Sequence, residues 1–432
     1  MLVVGLARSG LASIDLLLEK GARVTATDLN PRTSKGLRVP FLPQTPEAFA
    51  ARDLIVVSPG VPPDLPELEF ARRGGVKVIG EVELAGWFLL GDTIGVTGAN
   101  GKTTTTALLG HILDHAGIPA QVGGNIGTPA TSLAATSRPG RWNVLELSSF
   151  QLETIETFRA RVGVALNVTE DHLDRHHTME AYIAAKARLF ETQQPGDFAV
   201  LNADDPACVG FAAHTRARPL WFSLTRPVTP GLWLDQGRIL FDDALVLRAA
   251  EVPLRGRHNL ENVMAATAAA RLAGASLEAI ASAVRVFAGV EHRLESVRRV
   301  GGVEFVNDSK ATNPDAALKA LDSFDGRLWV ILGGKDKGSN YRPLREPLKR
   351  KAHAVMLIGA AAEKIADHLA GSVRLVPSGT LEAAISTAWR EAGPGDTVLL
   401  APACASFDQF DDFEHRGRVF KELVARLRED KA

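Results

Sequence analysis

Residues 93–116 read TIGVTGANGKTTTTALLGHILDHA, an apolar run, a glycine-rich turn and a helical pattern in succession. The order predicts strand, turn, helix. Such a turn presents backbone N–H groups at a helix N-terminus, where unpaired donors and partial positive charge favour a phosphate. Gly98, Asn100 and Gly101 form the turn, Lys102 adds a full charge, and Thr103 and Thr104 place hydroxyls where a nucleotide-bound Mg²⁺ sits. The usual phosphate-loop spacing puts a glycine where Val96 stands here, with Gly95 and Gly98 on either side. A plain surface turn accounts for the glycines but not for a lysine followed by four threonines. The segment therefore reads as a nucleotide-phosphate loop.

At 432 residues the chain exceeds one ordinary core, and a norm of about 150 residues per domain leads to an expectation of three domains. Forty-nine Lys and Arg against fifty Asp and Glu give a net charge of -1, which lacks the broad basic footprint of a nucleic-acid binder. Anionic ligands must then be met by local sites. Cys208 and Cys404 are too few for a disulfide framework or a cysteine metal site and are expected to be packing residues in a reducing cytosol. No apolar run reaches about 18 residues and no basic leader precedes the first strand, so a cytoplasmic protein without membrane insertion is expected. The first strand begins close to Met1, which is compatible with a true start a few residues upstream.

Taken in order, residues 2–28 alternate strand, helix and strand, with Gly5, Gly10 and Asp28 spaced as in a dinucleotide fingerprint, although Ala7 replaces its middle glycine. A further strand at 53–60 ends on Ser58, Pro59 and Gly60, which are candidates to line the same crevice. Beyond the phosphate loop, WNVLEL at 142–147 and RVGVALNV at 161–168 have the short, β-branched, apolar form of buried parallel strands. The first delivers Glu146, a carboxylate that is costly inside an apolar strand unless it meets a cation. The second delivers TEDHLDRHH at 169–177, with His172 in the matching position. On the helix that follows, Lys186 taken alone reads as an ordinary surface lysine.

The loop at 122–129 offers Asn125 as its one strong hydrogen-bonding side chain, residues 226–247 suggest a hairpin excursion, and the helix within 255–274 gathers His258, Asn259 and Asn262 at its start. Five strands are expected between 291 and 432, with polar loops at 307–314, 333–340 and 404–417 along one sheet edge. The first of these loops sets Asp308, Ser309, Lys310, Thr312 and Asn313 together, a mixture suited to an anionic substrate and a nucleotide.

These motifs resemble the Mur ligase family over essentially the whole chain. TGANGKTTT, GGNIG, LELSSFQLE, NVTEDHLDRH, the Lys186 helix, GRHNLENVMAA and EHRLE are similar to its central-domain motifs. NDSKATNPDA and ACASFDQFDDFEHRG look like its D-glutamate-adding branch. The resemblance implies an α/β chain of three domains: a UDP-substrate-binding Rossmann-like domain over 1–80, a P-loop-type ATPase domain with a mainly parallel sheet over 81–290, and a Rossmann-like amino-acid-binding domain over 291–432. It implies that ATP phosphorylates the carboxylate of UDP-N-acetylmuramoyl-L-alanine and that D-glutamate attacks the acyl phosphate, in cytoplasmic peptidoglycan precursor synthesis by a monomer.

By the same resemblance, Lys102 holds ATP phosphates, Thr103 and Glu146 place one Mg²⁺, and His172 with a carbamylated Lys186 places a second. Asn259, Asn262, His292, Arg293 and Asp308 are implied on the nucleotide side, with Lys310 bordering the reacting phosphate. Arg8, Ser9, Asp28, Ser58, Gly60 and Asn125 are implied for the UDP-substrate. Thr312, Lys337, Ser406 and Phe413 are implied for D-glutamate, with Lys335 a competitor for Lys337. Another Mur or folylpolyglutamate-type amide ligase is the alternative, against which NDSKATN argues. A nicotinamide dehydrogenase leaves the phosphate loop unexplained.

Overall fold

The computed structural model describes residues 1–50, 52–336 and 338–429. These form three sheets and fall into two compact units, Met1–Pro253 with His258–Phe287, and Leu254–Arg257 with Ala288–Ala432.

In the first unit, strand Leu2–Val4 lies between Thr25–Thr27 and Leu54–Val57, with Lys77–Gly80 outermost, and all four strands run parallel. The uninterrupted apolar character of LVV and LIVV follows from burial on both faces. Val3 and Val56 pack with Ile14 and Leu17 of helix Arg8–Glu19, while Leu2, Val4, Ile55 and Val57 pack with Phe49 and Leu68. The carboxyl ends of Leu2–Val4 and Leu54–Val57 release the chain into the Gly5–Ala7 and Ser58–Gly60 turns, side by side.

The same unit holds a nine-stranded sheet. Its strand Thr93–Thr97 is flanked by Val162–Ala165 and Trp142–Glu146, all parallel, so the phosphate loop, Glu146 and the segment after Ala165 share one edge. This is the edge where open α/β sheets bind ligands. At the far side Gly231–Asp235, Arg238–Phe241 and Ala244–Arg248 make the expected antiparallel excursion. Glu83, on helix Glu81–Gly86, links the two sheets by accepting from the amides of Glu156, Thr157 and Phe158.

The second unit carries a sheet of six strands rather than five. The additional one, Glu295–Val300, pairs antiparallel with Val303–Asn307 at the edge. Its sequence ESVRRV is charged and only partly buried, as edge strands commonly are, so a search for apolar runs passes over it. Val330, Leu332, Val355 and Leu357 fill one face of this sheet, and Phe305, Ile331, Met356 and Leu400 the other. Both cysteines are buried, as expected of packing residues. Among the described residues no helix is long and apolar enough to cross a membrane.

Candidate active site

Helix Lys102–His115 begins directly at the phosphate loop, on Gly101 at φ 85°. A Cβ on Gly101 would meet Asn262 Oδ1 at 2.2 Å, so glycine is required by conformation and by packing. Asn262 Oδ1 also accepts from Thr105 Oγ1 at 3.3 Å, and Asn262 Nδ2 donates to Asn259 Oδ1 at 2.8 Å. Of the two asparagines expected on the nucleotide side, Asn262 sits against the loop and Asn259 is bonded to Asn262. Asn100 is fixed from the segment after the neighbouring strand: its amide donates to Asn167 Oδ1 at 2.9 Å and its side chain to Thr169 Oγ1 at 3.2 Å. Lys102 Nζ donates to the carbonyls of Gly98 and Ala99 at 2.8 and 2.9 Å.

Lys186 is not a surface lysine. It is 1% exposed, 4.4 Å over the Tyr182 ring, and its Nζ donates to the carbonyl of Gly98 at 2.8 Å. Two lysines thus converge on one carbonyl of the loop. Burial, with Lys102 nearby, holds the Lys186 ammonium well below the ordinary lysine range.

Glu146, 2% exposed, accepts from Asn125 Nδ2 at 2.8 Å through Oε1, while its buried Oε2 has no partner among the described residues. An orphaned buried carboxylate oxygen is expensive, and a cation is the partner that offsets the cost. His172 stands at φ 54° with its ring 4.8 Å from that of Phe150 and its Nε2 3.5 Å from the Asp171 carboxylate. Among the described residues no three His, Cys, Asp or Glu side chains form a preformed metal cluster.

A cavity of about 620 Å³ opens at the carboxyl ends of the N-terminal strands. Arg8, Ser9, Asp28, Ser58, Gly60 and Asn125 all line it, so the structure gathers the six positions read for the UDP-substrate. Ala7, the departure from the glycine fingerprint, lines it too. Asp28 accepts the amides of Leu6 and Asn30 at 2.7 and 2.8 Å, which makes it a brace for the turn as well as a cavity wall.

In the second unit, His292 is 3% exposed, with Nδ1 2.9 Å from Asn307 Nδ2 and its ring edge-on to Phe413. Burial lowers its pKa below the ordinary 6.5. Arg293 has a buried Nε without a partner among the described residues. Asp308 accepts the amide of Leu294 at 3.2 Å, and burial pushes its carboxyl up to about 6, against the pull of Arg293, that amide and Lys310. Lys310 Nζ lies 5.7 Å from the centre of the Phe413 ring, and Ser309 Oγ donates to the Phe413 carbonyl at 2.8 Å. The amide of exposed Lys335 donates to the carbonyl of Ala405 at 2.8 Å, beside buried Ser406. Thr312 is half-buried, its amide bonded to the Lys310 carbonyl at 2.9 Å. Lys337 lies outside the described residues.

Three family descriptions match the chain in sequence: Mur ligase MurD-like, N-terminal domain, over 1–80; Mur ligase middle domain over 96–270; and Mur ligase, glutamate ligase domain, over 292–404. The chain belongs to the Mur ligase family. The UDP-N-acetylmuramoylalanine--D-glutamate ligase of Solibacter usitatus is 61% identical to it, over 99% of this chain and 97% of that protein. The protein of the same name in Acidobacterium capsulatum is 52% identical, over 98% and 95%. Solved structures agree at the level of fold. A UDP-N-acetylmuramate-alanine ligase from Thermotoga maritima aligns at TM-score 0.63 and 19% identity over 98% of each chain. A MurF ligase from Thermotoga maritima in complex with ADP aligns at 0.61 and 18%, over 89% of this chain and 97% of its own.

This Mur ligase also contains groups that motif reading did not single out. Arg416 is 0% exposed and, among the described residues, faces no carboxylate at hydrogen-bond distance; it donates to Ser309 Oγ, to the Ser309 carbonyl and to the carbonyl of Cys404, at 2.9, 2.8 and 3.2 Å. Burial brings its pKa down to about 10. Nothing in the run EHRG separates a buried arginine from a surface one. Tyr182, one helical turn before Lys186, had a usable signal: an aromatic four residues away on the same helix face.

Proposed function

We propose that this Mur ligase is an ATP-dependent amide ligase that joins D-glutamate to UDP-N-acetylmuramoyl-L-alanine through an acyl phosphate, in the cytoplasm. The observation that carries the reading is the identity of 61% over 99% of the chain to a ligase of that name, together with a phosphate loop, an orphaned Glu146 oxygen and a cavity gathering the six UDP-substrate positions.

A carboxylate has no leaving group, so it must be activated before an amine displaces anything. Activation brings two anions together, and the protein's task is to neutralise and align them. Lys102 and the loop amides hold the ATP phosphates, and Asn259 and Asn262 brace that loop from the side. Glu146 and Thr103 would hold one Mg²⁺, and His172 with a carbamylated Lys186 a second. Bound there, the two ions would supply charge neutralisation between ATP and the substrate carboxylate. Burial and the nearby Lys102 favour the neutral Lys186 amine, the form that adds CO₂. An N–C bond forms, one proton leaves, and the side chain becomes an anion. His292, Arg293, Asp308 and Lys310 serve the nucleotide side. Thr312, Lys337 or Lys335, Ser406 and the Phe413 segment hold the two carboxylates of D-glutamate and leave its amine free.

The deciding assay is phosphate release from ATP with UDP-N-acetylmuramoyl-L-alanine, with and without D-glutamate. Release that requires both substrates, with L-glutamate inert, is expected. Release supported by a folate in place of the UDP-sugar would overturn the reading.

A further inference from the structure

The turn that carries His172 is held by a polar network for which the proposed chemistry has no use. His176 Nε2 lies 2.9 Å from Ser149 Oγ, and His176 Nδ1 lies 3.1 Å from Glu153 Oε1. Arg175 Nη2 donates to Glu153 Oε2 at 3.0 Å and to the Val61 carbonyl at 3.0 Å. The Arg175 guanidinium sits 4.9 Å from the Phe150 ring, and the His172 ring is 4.8 Å from that same ring. Val61 lines the N-terminal cavity, Ser149 follows Glu146 on short helix Ser149–Leu152, and Arg175 and His176 belong to Leu173–His176. Three segments distant in sequence are thereby tied at one point.

The Ser149, His176 and Glu153 spacings match those of a nucleophile triad. Burial removes that role: Ser149 is 2% and His176 6% exposed, and the second Glu153 oxygen is committed to Arg175. What the network does is mechanical. The turn is bounded by His172 at φ 54° and His177 at φ 65°, left-handed conformations that non-glycine residues keep only where their surroundings hold them. The Arg175–Glu153 pair is largely shielded, with side chains 15% and 16% exposed, so breaking it leaves a charge poorly solvated.

We propose that Glu153, Arg175 and His176 are positioning residues, a clamp that couples the Val61 wall of the cavity to the His172 turn. Filling the cavity then steadies the turn. The coupling rests on reading the cavity as the UDP-substrate site and His172 as part of the phosphate-loop centre.

The test uses the full chain and two variants, Arg175→Met, which keeps the stack on Phe150 but loses the donors, and Glu153→Gln, which keeps the shape. Without ligand, amide exchange in 58–62 and 169–178 rises together by about tenfold in each, the effect of ~1.4 kcal/mol of local opening. In the native protein UDP-N-acetylmuramoyl-L-alanine protects both segments; in Arg175→Met it protects 58–62 alone. The KM for this substrate rises in that variant by roughly tenfold with the KM for ATP within about twofold, and Arg175→Lys restores part of the difference. Unchanged ligand-free exchange in both variants overturns the clamp whatever the cavity binds. If ligand-free exchange responds as expected and the native protein does not bind the UDP-sugar, the clamp stands and the reading of the cavity falls.

Discussion

Glu146 and Lys102 face each other's chemistry from opposite constraints. The carboxylate has a buried oxygen with nothing to accept from, whereas the ammonium is occupied by the loop carbonyls of Gly98 and Ala99 until a phosphate competes for it. In the proposed reaction, each is preorganised for charge that arrives with the substrate. Lys102→Ala and Glu146→Ala are therefore expected to lower kcat by about 10²-fold or more, ~3 kcal/mol, in proteins that remain folded by circular dichroism. Normal turnover in either would remove the loop from the mechanism. Asp308 gives a test that needs no substrate. Its folded carboxyl, pushed by burial up to about 6 from 3.8, holds its proton more tightly than the unfolded chain does. The stability this contributes is complete below pH 3.8 and is lost as pH rises through 6. Asp308→Asn, which never ionises, should exceed the native protein in stability at pH 7.5 by up to about 3 kcal/mol and lose that advantage near pH 4. Parallel pH profiles of Tm for the two proteins would refute the shift.

The helix Lys102–His115 and the helix Arg257–Leu272 meet at Gly101, where backbone conformation and close approach coincide. Neither constraint has an easy escape. An alanine there must adopt φ 85° and push its Cβ into Asn262 Oδ1, which is itself held by Thr105 and Asn259. Gly101→Ala should cost ~1–3 kcal/mol of stability and weaken ADP binding by at least about tenfold. Calorimetric titration with ADP, alongside thermal melts, measures both. Unaltered affinity would show that the loop tolerates a different path. The Glu295–Val300 edge strand adds to its backbone ladder polar side-chain pairs with its neighbour: Asn307 Nδ2 donates to Glu295 Oε2 at 3.0 Å and Ser296 Oγ to Glu304 Oε1 at 2.9 Å.

Over the whole molecule, two compact units predict that unfolding is not a single two-state event. The cavity belongs entirely to the first unit. Scanning calorimetry should resolve two transitions. UDP-N-acetylmuramoyl-L-alanine at about 100 times its Kd should raise the stability of only one, by ~2.7 kcal/mol. One transition that shifts as a whole would count against independent units.

The strand–turn–helix at 93–116, the strand ends at Glu146 and 169–177, and Asp28, Ser58 and Gly60 on the cavity wall were legible in sequence because each rests on local order: apolar period, glycine turns, and chemistry at a strand terminus; Arg8, Ser9 and Asn125 came only with the family resemblance. Lys186 and Arg416 were not legible as buried cations, because an isolated lysine or arginine carries no mark of its burial. The clamp was not legible either. His176 meets Ser149 across 27 residues and Arg175 meets Val61 across 114, separations that no periodicity spans. The sequence by itself determined which groups arrive at the sheet edge, since alternation and turn chemistry act over a few residues. Tertiary structure alone decided which of them lost water, and therefore which charges shifted, which oxygen was orphaned and which turn was held.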